Sequence, residues 1–213
     1  MKIDMGSAMA YVMTQLRHEP WDVDRRLTEM RLSREVLLEI ADVALNEASN
    51  ATPFHPANSA GTFSYHHGTW ALRDRYVGKD AWVLERLEGV EAILNRDLKL
   101  RLVFANVDNA CRDEQPPKPR SRKGSGSERA SSGNLFSDLP HYAPLQNGVG
   151  TTFFLMVDAG GAVELTQRVV EDGTFSTYIE RIYLRRGGRD AEVSDILLDG
   201  DDAVEFDPQV IRK

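Results

Sequence analysis

Residues 112–133 separate two apolar blocks and carry, prolines aside, no hydrophobic residue larger than alanine. The stretch holds Pro116, Pro117 and Pro119, then Gly124, Gly126 and five serines. Such a composition buries too little surface to offset the entropy of ordering it, which predicts a flexible loop or linker. Unstructured connections of this length inside a domain tend to be functional or disordered. Whatever the chain folds into, its core comes from the blocks on either side.

The block before it opens with helical periodicity. Ser33 is a predicted N-cap, and Glu35 sits early, where a carboxylate favours the positive helix end. Val36, Leu37, Ile40, Val43, Ala44 and Ala48 then recur at three- and four-residue spacing, one buried helical face. Ser49-Asn50-Ala51-Thr52-Pro53 stops the pattern. A shorter helix is read over 7–17. Residues 53–68, with two prolines, two glycines and three histidines, read as an irregular loop, with Thr69 capping a short helix ended by Gly78.

Strand signals follow. Leu98, Leu100, Leu102 and Phe104 alternate with Lys99, Arg101 and Val103, the period of a strand with one buried face. The apolar run 90–94, joined through Asn95-Arg96-Asp97, completes a hairpin, and residues 82–88 add a third strand. Beyond the polar stretch, residues 151–157 read as a strand buried on both faces. Gly160-Gly161 opens an expected helix over 162–170, Asp172-Gly173 marks a turn, and 175–184 favours a strand. Residues 193–198 add an edge strand. Segregated helices and mostly antiparallel strands define an α+β class: N-terminal helices packed on a mostly antiparallel sheet, with a long flexible polar insertion.

We therefore expect one domain over 1–213. Its parts are a helical region (1–53), a loop, short helix and hairpin (54–111), the basic insertion (112–134), a second αβ part (151–198) and an acidic tail (199–213). No run approaches the ~20 apolar residues of a membrane span. The first twenty residues lack the long apolar stretch and cleavage site of a secretory signal. Cys111, the single cysteine, has no internal disulfide partner. These features predict a cytoplasmic protein without a membrane partner.

The net charge of −7 conceals a pattern. Residues 190–207 contain eight acids and no lysine or arginine, which leaves the remainder close to neutral. Within that remainder, Lys118, Arg120, Arg122, Lys123 and Arg129 set five cations against Glu128. Arginine forks suit phosphate oxygens, and glycine-serine backbone approaches an anion closely. No aromatic is interleaved for base stacking, and Lys123-Gly124-Ser125 lacks the frame of a Walker loop.

Three further constellations carry chemistry. His55, His66 and His67, with Asp108 and Cys111, offer imidazole, carboxylate and thiolate ligands for a transition metal, although their spacing follows no standard motif. Cys111 with a histidine and Asp108 or Asp113, or Ser64 beside His66, has the ingredients of a nucleophilic pair. Glu85, Glu88, Glu91 and Asp97 with Lys99 and Arg101 have nuclease-like composition, but their placement predicts the solvated face of a sheet.

The expectation is a non-enzymatic binding or interaction module whose insertion contacts nucleic-acid backbone or another phosphate-bearing or acidic partner. The alternatives are a metal-dependent hydrolase or nuclease on the histidine/Asp/Cys set, and an acidic adaptor. The adaptor would bind a basic protein through Asp199, Asp201, Asp202, Glu205 and Asp207. No motif specifies a cofactor, a substrate or an oligomeric state.

Overall fold

Parallel neighbouring strands need a long crossover, and that requirement explains the polar stretch. The computed structural model describes residues 14–87, 89–120, 150–171 and 174–188. The described residues begin with strand β1 (Gln15–Arg17) and helices α1 (Pro20–Glu29), α2 (Arg34–Ala48) and α3 (Ser59–Tyr76). Strands β2 (Trp82–Leu87), β3 (Val90–Asn95) and β4 (Leu100–Asn106) form one antiparallel meander. Strands β5 (Thr151–Val157), β6 (Val163–Glu171) and β7 (Thr174–Arg185) form a second. The two join along a parallel β4–β5 seam, with Leu100 opposite Thr151 and Asn106 opposite Val157. The seven-stranded sheet has the order β1-β7-β6-β5-β4-β3-β2. Residues 107–150 connect the two seam strands, and Gly150 enters β5 against the Lys99 carbonyl.

The helices cover one face of this sheet. Pro20 opens α1, where a missing N–H costs nothing, and Val23 and Leu27 turn inward. Arg17 and Arg26 both pair with Glu180 of β7, at 2.6 and 2.9 Å, fastening β1 and α1 to that edge. The Ser33 hydroxyl accepts from the Val36 N–H and starts α2, whose Leu37, Ile40, Ala41 and Ala44 are buried. Helix α3 runs beside α2 and over β3 and β4. Beneath the helices, Ile93, Leu102, Phe104, Phe153 and Leu155 form the floor of the core.

A second buried cluster lies on the opposite face. Val103, Ala105, Phe154 and Met156 meet Ala110 and Cys111 from the segment after β4. Strands β4 and β5 are therefore buried on both sides, as residues 151–157 led us to expect. No described helix is long and apolar enough to cross a membrane.

The α+β class, the hairpin, its preceding strand and the α2 helix stand as read. Four local readings change. Residues 15–17 of the expected first helix form β1, and α1 follows it. The loop read over 53–68 is short, because α3 begins at Ser59 and Thr69 lies buried within it. Gly61 and Gly68 disguise that helix in sequence, yet Gly68 is where the helix comes closest to Phe104. Residues 163–171 are strand β6, not a helix. Both of its faces are buried, so Glu164, Thr166 and Arg168 are interior groups, not a helix exterior. The sheet face bearing Arg101 is likewise not solvated: Arg101 is buried and pairs with Glu85. The strand read over 193–198, and residues 7–13 of the first helix, lie outside the described residues.

Candidate anion-binding face

The root of the basic insertion is held down. Val107 and Pro119 bridge, the Asp108 N–H donates to Lys118 O at 3.1 Å, and the Arg120 N–H donates to Asn106 O at 3.3 Å. The Asp108 carboxylate accepts from the Asn109 and Lys118 N–H groups at 2.6 and 2.7 Å. Residues 107–119 thus form a compact loop with adjoining ends, as surface Ω-loops do. Between those ends the loop crosses the sheet face opposite the helices. There the Ala110 N–H donates to Asp158 at 2.9 Å, and the Cys111 N–H to Glu164 at 2.7 Å. Arg181 donates to Arg112 O at 2.9 Å, and the Tyr178 hydroxyl donates to Pro117 O. Composition predicts flexibility from residue 112, but buried acceptors and donors from β6 and β7 fix 112–120.

This anchoring presents two cations at the end of β4. Lys118 is exposed, Arg120 half-buried, and neither forms an ion pair among the described residues. Elsewhere arginines are spent on carboxylates: Arg31 on Asp97, Arg73 and Arg86 on Glu91, Arg185 on Asp42. Arg122, Lys123 and Arg129 lie outside the described residues.

Beneath the loop, alternate residues of β6 build a polar interior. Glu164, fully buried, takes a two-point contact from Arg181 at 2.8 and 3.2 Å and a third bond from the Thr166 hydroxyl at 2.8 Å. Burial alone would lower Arg181, but the hydrogen bonds and charge of Glu164 outweigh it and hold the guanidinium above its ordinary value. Arg168, next but one along the strand, differs. It is equally buried, yet among the described residues no carboxylate pairs with it, and desolvation pushes it well below the ordinary arginine range. Removing such an ion from water costs several kcal/mol. Its contacts with Phe154 and Phe175 are cation–π contacts, each worth about 2 kcal/mol when desolvated.

The metal candidates are placed apart. His55 lies in the turn before α3, where its Nδ1 accepts from the Thr52 N–H at 3.0 Å and its ring meets Phe63 edge-on. His66 and His67 are exposed neighbours on α3, with His67 Nε2 3.8 Å from Glu47 of α2. Asp108 serves the loop root, and Cys111 belongs to the cluster on the far side of the sheet. Among the described residues, no group of three or more His, Cys, Asp or Glu is placed to hold a metal ion. Ser64 donates to Asn106, not to a histidine. The acidic segment Asp199, Asp201, Asp202, Glu205 and Asp207 lies outside the described residues.

Cys111 is built as a structural thiol. Its Sγ sits 3.2 Å from Val163 O and 3.3 Å from Arg185 O, and burial, reinforced by the Glu164 charge, pushes it up to about 12. A thiol-specific disulfide reagent at pH 8 is expected to leave the native protein unlabelled and to label it fully in denaturant; rapid native labelling would revive a nucleophilic role. Burial also raises Tyr76 and Tyr178 to about 12. All three groups are neutral when folded, and their folded values exceed the ordinary 9.0 for cysteine and 10.0 for tyrosine. Their stabilisation is complete below those ordinary values and declines as pH rises toward 12.

Glu164, Arg168, Tyr178 and Arg181 were not candidates from sequence. Their signal is the alternation of Glu164, Thr166 and Arg168 between Val163 and Leu165, which equally fits the exposed side of a helix. No family model matches this chain, and neither does any curated protein or solved structure.

Proposed function

We propose that the chain is a non-enzymatic binding module whose basic insertion engages nucleic-acid backbone or another phosphate-bearing or acidic surface. The observation that carries this reading is the pinned loop root, which offers Lys118 and Arg120 without ion-pair partners among the described residues. An exposed cation with no internal counterion is available to an external one. Anchoring its backbone in advance lowers the entropy lost on binding. Arg122, Lys123 and Arg129 follow in sequence and extend the same charge. The lone buried thiol suits a reducing compartment such as the cytoplasm.

Replacing Lys118, Arg120, Arg122, Lys123 and Arg129 together by glutamine tests the reading. At low salt the unmodified protein is expected to retain labelled single- or double-stranded DNA or RNA, and the variant to lose about 10-fold or more in affinity. Thermal unfolding of the two proteins should coincide, since these side chains hold no described ion pair. Retention that survives neutralisation, or no retention by the unmodified protein, rejects the nucleic-acid form of the proposal.

A further inference from the structure

Arg168 is 1% exposed, and none of its three guanidinium nitrogens has a hydrogen-bond partner among the described residues. Its Cζ lies 3.9 Å from the Phe154 ring centroid and against Phe175, between two rings whose centroids are 6.0 Å apart. Two of the acceptors on the same face are already committed. Glu164 is occupied by Arg181, Thr166 and the Cys111 N–H, and the Tyr178 hydroxyl is directed to Pro117 O. Arg101, on β4 opposite Thr152, adds a second guanidinium to this face, offset by Glu85.

We propose that Arg168 anchors a binding site for a small oxyanion, a phosphate or carboxylate group that supplies the missing acceptors. The guanidinium offers five N–H donors and no acceptor, so only an acceptor-rich group completes it, and only an anion also compensates its charge. A two-oxygen contact to the guanidinium fork is the geometry in which arginine discriminates phosphate and carboxylate from chloride. This site is distinct from the exposed cations of the insertion.

Thermal unfolding followed against inorganic phosphate, sulfate or acetate, at ionic strength held constant with sodium chloride, tests the site. The unmodified protein is expected to show a saturable rise in Tm with at least one of the three. Which oxyanion is effective separates phosphate from carboxylate. Arg168→Met should abolish the rise, with affinity down about 10-fold or more, as expected for losing charge-assisted hydrogen bonds. Where that variant does not fold, Arg168→Lys keeps the charge but loses the fork, and should weaken binding in the same direction. No saturable shift in the unmodified protein, an equal shift with chloride, or an unchanged shift in the Arg168 variant overturns the inference. Because the insertion is intact throughout, the outcome is independent of nucleic-acid retention.

Discussion

Glu164→Ala is expected to destabilise the protein by about 3–5 kcal/mol, the usual consequence of removing one partner from a buried ion pair. Arg181 would be left charged and buried without its counterion. The Cys111 N–H and the Thr166 hydroxyl would each lose an acceptor. The loss is not confined to the sheet. Cys111 and Arg112 belong to the insertion root, so the anchored loop should loosen with the pair. Urea unfolding measures the stability change, and amide exchange at Ala110, Cys111 and Lys118 measures the loop. Glu164→Gln, which keeps the volume and one acceptor oxygen, should fall between the wild type and alanine. A change below about 1 kcal/mol would place Glu164 among ordinary surface ion pairs and contradict its role as the anchor.

Gly68→Ala is the second large effect, and its sign reverses what helix propensity alone predicts. Alanine for glycine within a helix normally stabilises by about 1 kcal/mol. Here a Cβ would lie within 2.7 Å of three ring carbons of Phe104, which is completely buried at the floor of the core. Either α3 lifts from β4 or the ring leaves its position, and such overpacking typically costs about 1–3 kcal/mol. We expect a net loss of about 1 kcal/mol by chemical denaturation, once the propensity gain is subtracted. Phe104→Leu should cost less in the Gly68→Ala background than alone, because the smaller side chain relieves the contact. Additive effects would show that the two sites do not touch. Gly61, with nothing within 4 Å of its Cβ position, is the control and should show the ordinary gain.

These two sites show where sequence reading stops. Helix α2 was legible because a cap, an apolar face and a stop signal agree. The seam strand β5 was legible as a continuous apolar run. Helix α3 was not, because Gly68 is selected by Phe104, 36 residues away in sequence, and local spacing carries no trace of it. Strand β6 was misread for a related reason. Alternating polar residues imply solvent on one side, unless distant elements bring counter-charges, as Arg181 and the 107–120 loop do for Glu164. The basic insertion was visible in composition. Its anchoring was not, since Tyr178 and Arg181 lie some sixty to seventy residues beyond the backbone carbonyls they hold. The metal constellation assembled from residue types alone places its histidines and Cys111 on opposite sides of the sheet.

The central claim is that the insertion of this chain binds phosphate through its cations, and the salt dependence of binding tests it most directly. Fluorescence anisotropy of a labelled oligonucleotide, titrated with the full chain at several sodium chloride concentrations, yields the slope of log K against log salt. Five phosphate contacts predict a slope of about −4.5 on double-stranded DNA and about −3.5 on single strands. A slope near that value, reduced by about one unit for each cation neutralised, is the expected result. A slope near zero, or one unchanged when Lys118 and Arg120 are neutralised, would contradict the account.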